Sequence, residues 1–272
     1  MKLLIADDME GISGVVSWNH CDSTHKEYER FRRIMTNEVN AAIQGAIEGG
    51  ADEVVVSDGH GGAKNVLVEN LDKRVRLNSG TPSKYAMVNG IEDQVDALMY
   101  VGYHARVGTP CGVLAHTWSL AIYNVWVNGL LVGEIGLNAL LAGHFGVPLL
   151  MISSDLAGCK EAEALVPGVK TVPVKVGTSM YAANCLPNEV AQAQIKETAM
   201  QAVKDFKAGK TPAPLTTSTP ITLTVELAGS QMADSVSVIP GLTRLEGRKV
   251  QIEVPDMPTA YGAFRTIASL SR

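Results

Sequence analysis

Three short apolar runs, each ending in an acidic or imidazole side chain, constrain the fold of this chain more than any other feature. They read KLLIAD at residues 2–7, EVVVSD at Glu53–Asp58 and ALMYVGYH at Ala97–His104. Their apolar residues are continuous rather than alternating, which is typical of parallel strands buried on both faces of a sheet. Residues 26–48 carry apolar side chains at helical spacing between the first two runs. The strand–helix–strand order predicts an α/β fold with a largely parallel sheet flanked by helices.

The later part of the chain has a different pattern of apolar runs and turn residues. Asn128-Gly129 lies between two short apolar runs and predicts a β-hairpin. Helices are expected over Glu134–His144, residues 160–165 and residues 187–207, and a strand near residues 171–175. Residues 208–220 are rich in Pro and Thr and predict a surface connection, followed by two strands and a terminal helix over Met257–Leu270. We therefore predict an α/β catalytic body at residues 1–207 and a smaller C-terminal α+β portion at residues 221–272.

Composition excludes several classes of protein. The net charge is −5 with acids and bases well mixed, which argues against a nucleic-acid partner. The most apolar window, Leu130 to Ile152, contains Glu134, Asn138 and His144, so we interpret it as protein core and expect no membrane partner. None of the four cysteines is in a C-x-x-C pair, and no export signal is visible. Free thiols in a reducing cytoplasm are therefore expected.

Acidic and imidazole side chains follow four separate segments of this predicted body. Asp8 and Glu10 follow the first strand, His60 the second and His104 the third, while His116 lies in the next loop and Glu134 opens a predicted helix. The carboxyl ends of parallel strands share one edge of a sheet, where ligands bind. We therefore expect these side chains to converge on one site.

The mixture of carboxylate and imidazole favours Zn²⁺, Mn²⁺ or Fe²⁺ over Ca²⁺ or Mg²⁺, which prefer oxygen alone. Two zinc ions need about six ligand contacts, and five residues supply six if one carboxylate bridges. The five are Asp8, Glu10, His60, His104 and Glu134. Two metals about 3.5–4 Å apart can polarise a carbonyl and activate water, which predicts an amide or ester hydrolase.

Other interpretations remain open at this point. Asp7 and Asp58 are equally well explained as caps of the turns that follow their strands, and Asp58 alternatively orients His60. The opening KLLIADDME also resembles a response-regulator receiver domain, with Asp58 as phosphoacceptor. The histidines have no role in the oxygen-only Mg²⁺ site of such a domain. A non-catalytic metal-binding protein is a further alternative, although structural zinc sites are usually rich in cysteine.

Five short motifs resemble one known family in the same order along the chain. They are DMEGISG (Asp8–Gly14), DGHGG (Asp58–Gly62), GYHARVGTP (Gly102–Pro110), LAHT (Leu114–Thr117) and VGEIGLNA (Val132–Ala139). On these motifs the chain resembles the zinc-dependent D-aminopeptidases of the DppA type. The departures are small and lie around Cys111-Gly112.

The resemblance implies a role for each matching residue. Asp8 corresponds to a carboxylate that bridges two zinc ions, Glu10 and His60 to the other ligands of one ion, and His104 and Glu134 to those of the second. His116 corresponds to the catalytic histidine, described in the family as a nucleophile. For this chain we favour proton transfer or oxyanion stabilisation by His116. The resemblance also implies assembly into a ring-type homo-oligomer, a decamer. The implied substrates are short peptides or amino acid amides with D-Ala or another D residue at the amino end. Mn²⁺ or Co²⁺ is an alternative to Zn²⁺ at the site.

Overall fold

The computed structural model describes residues 1–271, which form twelve strands and seven α-helices. The strands are β1 (Lys2–Asp7), β2 (Glu53–Asp58), β3 (Arg76–Asn78), β4 (Ala97–Tyr103), β5 (Ile122–Val127), β6 (Leu130–Val132), β7 (Leu149–Asp155), β8 (Lys170–Ser179), β9 (Ala182–Cys185), β10 (Ile221–Leu227), β11 (Thr243–Arg244) and β12 (Lys249–Val254). The helices are α1 (Trp18–Cys21), α2 (Tyr28–Gly49), α3 (Glu134–His144), α4 (Leu156–Leu165), α5 (Asn188–Lys207), α6 (Ser230–Val236) and α7 (Met257–Leu270). No helix within residues 1–271 is both long enough and apolar enough to cross a lipid bilayer.

The larger sheet has seven strands in the order β3-β2-β1-β4-β7-β8-β9, and all neighbours except β8 and β9 are parallel. The central strands β1, β4 and β7 are buried along almost their whole length, as their continuous apolar runs require. Helices α2 and α5 cover one face, and α3 lies on the other, where the second sheet also packs. The predicted α/β fold with a largely parallel sheet is confirmed.

The smaller sheet has five antiparallel strands in the order β11-β12-β10-β5-β6. Strand β10 shows alternating burial, because one face packs on the core and the other faces outward. The hairpin at Asn128-Gly129 joins β5 to β6, and both turn residues have positive φ. This sheet joins strands from both sides of the 208–220 connection, and the division into 1–207 and 221–272 stays a prediction.

Helix α4 begins four residues before the expected position, at Leu156 instead of residue 160. The cause is Asp155, whose Oδ1 accepts a hydrogen bond from the Gly158 N–H at 2.8 Å and caps the helix directly at the end of β7. At this position the acidic residue at the strand end is therefore a helix cap. A capping role was also considered for Asp7 and Asp58.

Candidate metal centre

The strand order places three segments with candidate ligands side by side. Strands β2, β1 and β4 are neighbours and parallel, so their carboxyl ends meet at one edge of the sheet. Asp8 and Glu10 directly follow β1, His60 follows β2, and His104 follows β4. Asp8, Glu10 and His104 are all at most 2% exposed. The expected convergence of these four residues at the sheet edge is present.

Two glycines allow the loops after β1 and β4 to lie against each other. The Gly11 N–H donates to the Gly102 carbonyl at 2.8 Å, and a Cβ on Gly11 would lie 1.8 Å from the Tyr103 carbonyl oxygen. Gly102 has a φ of +73°, and a Cβ there would lie 2.2 Å from the Asp8 carbonyl oxygen. Any larger residue at these positions would push the two ligand-bearing loops apart.

Glu134 and His116 reach the same place from the opposite side. Glu134 is the first residue of α3, and its Oε1 accepts a hydrogen bond from the Trp118 N–H at 2.6 Å. The loop that carries His116 is tied to the end of β7 because the Val113 N–H donates to Asp155 Oδ2 at 2.7 Å. Leu114 and Trp118, on either side of His116, have φ of 50° and 65°, a left-handed conformation that concentrates at functional sites.

Asp8 stands between two imidazole rings. Its Oδ1 lies 3.3 Å from His60 Nδ1, and its Oδ2 lies 3.4 Å from His104 Nε2. Glu10 Oε2 lies 3.0 Å from the same nitrogen of His60, and Glu134 Oε1 lies 3.2 Å from the same nitrogen of His104. The five side chains therefore divide into two groups that share Asp8.

Three of these four short contacts are not hydrogen bonds, and only the contact between His60 Nδ1 and Asp8 Oδ1 has the geometry of one. Within residues 1–271, Asp8 Oδ2, Glu10 Oε2 and His104 Nε2 are buried atoms without a hydrogen-bond partner. A buried polar atom without a partner is costly and rare in a folded protein. Donor atoms of Asp8, Glu10 and His104 lie within 4.8 Å of one another, which is the spacing expected around a bound cation. The arrangement fits a divalent metal better than a hydrogen-bonded polar cluster.

Each histidine ring is oriented by a backbone carbonyl on its other nitrogen. His60 Nε2 lies 3.0 Å from the Cys21 carbonyl, His104 Nδ1 lies 2.9 Å from the Ala105 carbonyl, and His116 Nδ1 lies 2.9 Å from the Leu114 carbonyl. In the neutral ring, as a metal requires, these contacts take the N–H and leave the lone pair of the other nitrogen on the side of the acids. Metal-binding histidines are commonly fixed in this way.

The charges of the cluster attract positive charge. Burial, and then the neighbouring Glu10, raise the pKa of Asp8 to about 7. Burial would lower the pKa of His60 and His104, yet Glu10 raises the first and Glu134 the second, so that both lie well above the ordinary value. The same imidazole charges overcome the effect of burial on the acids and lower the pKa of Glu10 and Glu134. Carboxylates that favour imidazolium so strongly also favour a bound metal cation.

His116 differs from the other two histidines. Its Nε2 lies 4.0 Å from Glu10 Oε1 and 3.9 Å from Glu134 Oε1, farther than the 3.0–3.4 Å contacts of His60 and His104. Its ring stacks on His104 with centroids 4.1 Å apart. Burial, and then His104, lower the pKa of His116. Its donor atom also lies within 4.8 Å of those of His104 and Glu134, so it borders the centre without sharing the close acid contacts.

A buried lysine holds the loop that carries Glu10, and the sequence reasoning missed it. Lys175, in β8, is 1% exposed, and its Nζ donates to the carbonyls of Glu10, Ile12 and Val15 at 2.5, 2.9 and 2.6 Å. Burial lowers the pKa of Lys175 to about 8. The one sequence signal was a lysine inside the apolar run TVPVKV.

Glu38, in α2, supports the same loop from the helix side. Its Oε1 accepts a hydrogen bond from the Ser13 N–H at 3.0 Å, and it is fully buried. Burial raises the pKa of Glu38 to about 7, against the opposing effects of the Ser13 N–H and of Lys175. Together with Lys175, Glu38 leaves the loop after β1 little freedom to move.

Asp58 is a turn cap. Its carboxylate accepts hydrogen bonds from the Asn65 and Val66 N–H groups at 2.5 and 2.9 Å and from Asn65 Nδ2 at 2.6 Å. Asn65 Nδ2 also donates to the His60 carbonyl, so Asp58 influences the backbone of His60 rather than its ring. Asp58 is 1% exposed and fully engaged in hydrogen bonds, which removes the phosphoacceptor required by the receiver interpretation.

Asp7, in contrast, caps no turn. Neither of its carboxylate oxygens has a hydrogen-bond partner among residues 1–271.

One cavity of about 350 Å³ lies over the centre. Asp8, Glu10 and His60 form what we call the strand-end wall, and Arg265, Ala268 and Ser269 of α7 form the C-terminal wall. Trp118 lies between them, and its ring packs edge-on against Phe264 of α7 with centroids 5.4 Å apart. The helix at the end of the chain therefore borders the site, which sequence reasoning did not foresee.

Comparison with known proteins agrees with this geometry. The family model described as D-aminopeptidase, a peptidase family, matches residues 1–266. The chain is 37% identical over 272 residues to the D-aminopeptidase of Bacillus subtilis (strain 168), covering 100% of this chain and 98% of that protein. It also superimposes, with a TM-score of 0.96 and 37% identity, on the structure of the zinc-dependent D-aminopeptidase DppA from Bacillus subtilis, described as a self-compartmentalizing protease; the match covers 100% of this chain and 98% of the other. The receiver interpretation is not favoured, and this chain belongs to the D-aminopeptidase family of peptidases.

Proposed function

We propose that this chain is a two-zinc aminopeptidase that hydrolyses the N-terminal amide bond of short peptides or amino acid amides carrying a D residue, such as D-Ala, at the amino end. One observation carries the proposal. The two oxygens of Asp8 face two different imidazoles, at 3.3 and 3.4 Å. A carboxylate placed in this way can bridge two cations, which is the basis of two-metal hydrolysis.

Two groups of residues are assigned to the two ions. Asp8, Glu10 and His60 would hold the first, and Asp8, His104 and Glu134 would hold the second. Three protein ligands for each ion leave a position for water or substrate, as catalytic zinc requires. The partnerless buried atoms of Asp8, Glu10 and His104 support the assignment. The same donors accept Mn²⁺ or Co²⁺.

Bound zinc supplies Lewis acidity that polarises the scissile carbonyl and makes water nucleophilic at neutral pH. His116 is assigned to proton transfer. Because the Leu114 carbonyl holds its Nδ1, Nε2 presents a lone pair toward the centre. That nitrogen takes the proton of the attacking water and passes it to the departing amine. Covalent attack by His116 is not needed, since water is the nucleophile.

The cavity limits the substrate to short chains. Its volume of about 350 Å³ is at the lower end of the range for small-molecule sites. The free amine of a peptide would bind one zinc ion in its neutral form, or a carboxylate in its charged form, and either contact favours cleavage at the amino end. Preference for a D residue is carried over from the Bacillus subtilis relative, which is named a D-aminopeptidase.

The test compares hydrolysis of D-Ala-D-Ala, L-Ala-L-Ala and D-alaninamide by the zinc-loaded protein and by protein treated with a chelator. We expect hydrolysis of the two D substrates, none of the L dipeptide, and recovery of the chelated protein on addition of zinc. Zinc binding without hydrolysis would favour the alternative of a non-catalytic metal-binding protein. Hydrolysis that survives chelation would contradict the assignment of the centre.

We also assign the chain to a ring-type homo-oligomer, a decamer, located in the cytoplasm. The self-compartmentalizing relative supports assembly, and four free cysteines support a reducing compartment. Light scattering coupled to gel filtration tests the assembly: we expect about ten times the 28.9 kDa mass of one chain. A mass equal to that of a single chain would contradict it.

A further inference from the structure

The C-terminal wall adds a positive charge to a cavity that is otherwise lined with acids. Asp8, Glu10, Asp58 and Glu134 line the cavity, and Arg265 is the one lysine or arginine among its lining residues in the described chain. Arg265 forms no ion pair with any acid of residues 1–271, whereas Arg74, Arg244 and Arg248 each pair with a carboxylate. A guanidinium that lines the same cavity as four acids and is paired with none of them is available to another anionic group.

The backbone fixes one end of this guanidinium and leaves the other end available. Nη1 of Arg265 donates to the carbonyls of Ser83 and Lys84 at 2.8 and 2.7 Å. Within residues 1–271, its Nε and Nη2 make no hydrogen bond. Two carbonyl contacts hold the side chain in one orientation, which lowers the entropic cost of binding a ligand. Arginine presents paired N–H groups that match the geometry of a carboxylate.

We infer that Arg265 binds the free C-terminal carboxylate of a dipeptide substrate. The inference rests on the proposed function: with the scissile amide at the metal centre, the carboxylate of a dipeptide lies one residue beyond it, within about 4 Å of extended chain. An amino acid amide or a dipeptide amide has no charge at that place. Arg265 is therefore a specificity-determining residue that favours free dipeptides, and it takes no part in the bond-breaking step.

The test measures kcat and KM on two substrates of matched size, D-Ala-D-Ala and D-Ala-D-Ala-amide. Arg265→Gln should lower kcat/KM for the free dipeptide roughly 10- to 100-fold, mainly through KM, because a charge-assisted hydrogen bond is lost. The same variant should change kcat/KM for the amide less than about twofold. Arg265→Lys, which keeps the charge without the paired N–H groups, should fall between wild type and Arg265→Gln on the free dipeptide.

The matched control is Arg248→Gln, which removes the same charge from an arginine that pairs with Glu226 outside the cavity. It should leave kcat/KM unchanged for both substrates. If Arg265→Gln lowers kcat/KM equally for the dipeptide and the amide, Arg265 only anchors the loop at Ser83 and Lys84, and the inference is overturned. No loss on either substrate would overturn it as well. Wild-type protein that hydrolyses neither substrate would overturn the proposed function, and the inference with it.

Discussion

The strand-end wall and the C-terminal wall of the cavity are built in different ways. Asp8 and Glu10 are almost fully buried, follow a strand buried on both faces, and lie on a loop that Lys175 and Glu38 hold from beneath. Arg265 is half-buried and lies on a helix that packs on an antiparallel sheet with one outward face. In our proposal the rigid wall carries the chemistry, and the more open wall selects the substrate. Changes to the first wall should abolish function, and changes to the second should redirect it.

The largest expected effect is on turnover. His116→Ala should lower kcat about 10²- to 10⁴-fold, because a proton-transfer group is removed, while the zinc content stays that of wild type. The control is His144→Ala, which removes an exposed histidine at the end of α3. Rates are measured on D-Ala-D-Ala and zinc by elemental analysis. A wild-type rate in His116→Ala would refute the role of His116, and a loss of zinc would show that His116 is a metal ligand.

The next effect is on the rigidity of the strand-end wall. Lys175→Met should lower the free energy of unfolding by about 3–5 kcal/mol, because three buried carbonyls lose their donor. Lys170→Met, in the same strand, breaks the partly exposed ion pair with Asp205 and should cost less than about 1 kcal/mol. Urea unfolding of zinc-loaded protein measures both. Equal losses would mean that Lys175 gives the loop no special support.

The pH dependence of stability tests the environment of Glu38. Its folded-state pKa of about 7 lies above the ordinary value of 4.5, so the folded protein binds this proton more tightly than the unfolded chain. That contribution is complete below pH 4.5 and is lost as the pH rises toward 7. As the pH rises from 5 to 8, the free energy of unfolding of Glu38→Gln should therefore increase by about 2 kcal/mol relative to that of wild type. Unfolding measured at both pH values checks this, and a constant difference would contradict it.

The smallest effect is expected in the antiparallel sheet. Asn128 has a φ of 49° and its Oδ1 accepts a hydrogen bond from the Thr222 N–H at 2.7 Å. Asn128→Ala should cost about 1–2 kcal/mol of stability, since it strains the turn and removes the bond. kcat/KM for D-Ala-D-Ala should be unchanged. A large loss of turnover would show that this hairpin of the antiparallel sheet is coupled to the metal centre more tightly than its position indicates.

The position of the centre could be predicted because it follows from a local rule. Acids and histidines placed directly after parallel strands must meet at one edge of the sheet, and Asp8, Glu10, His60 and His104 do so. The hairpin at Asn128-Gly129 was predictable for the same reason, since two adjacent residues determine it.

The supports of the centre could not be predicted, because they depend on contacts between distant parts of the chain. Lys175 lies 165 residues from Glu10, and Arg265 lies 182 residues from Ser83. Nothing next to either residue in the sequence specifies its partner. Asp58 was ambiguous because a strand-end acid serves equally as ligand, orienting group or cap, and only the contacts with Asn65 and Val66 decide the matter.

The zinc content of three single variants tests the central claim, that Asp8 joins two metal sites, most directly. Elemental analysis of purified wild-type protein should give about two zinc ions per chain. His60→Ala and His104→Ala should each retain about one, because each loses a ligand of a different ion, and Asp8→Ala should retain almost none. Two zinc ions retained in Asp8→Ala, or a single ion in wild type that either histidine variant abolishes, would contradict the account.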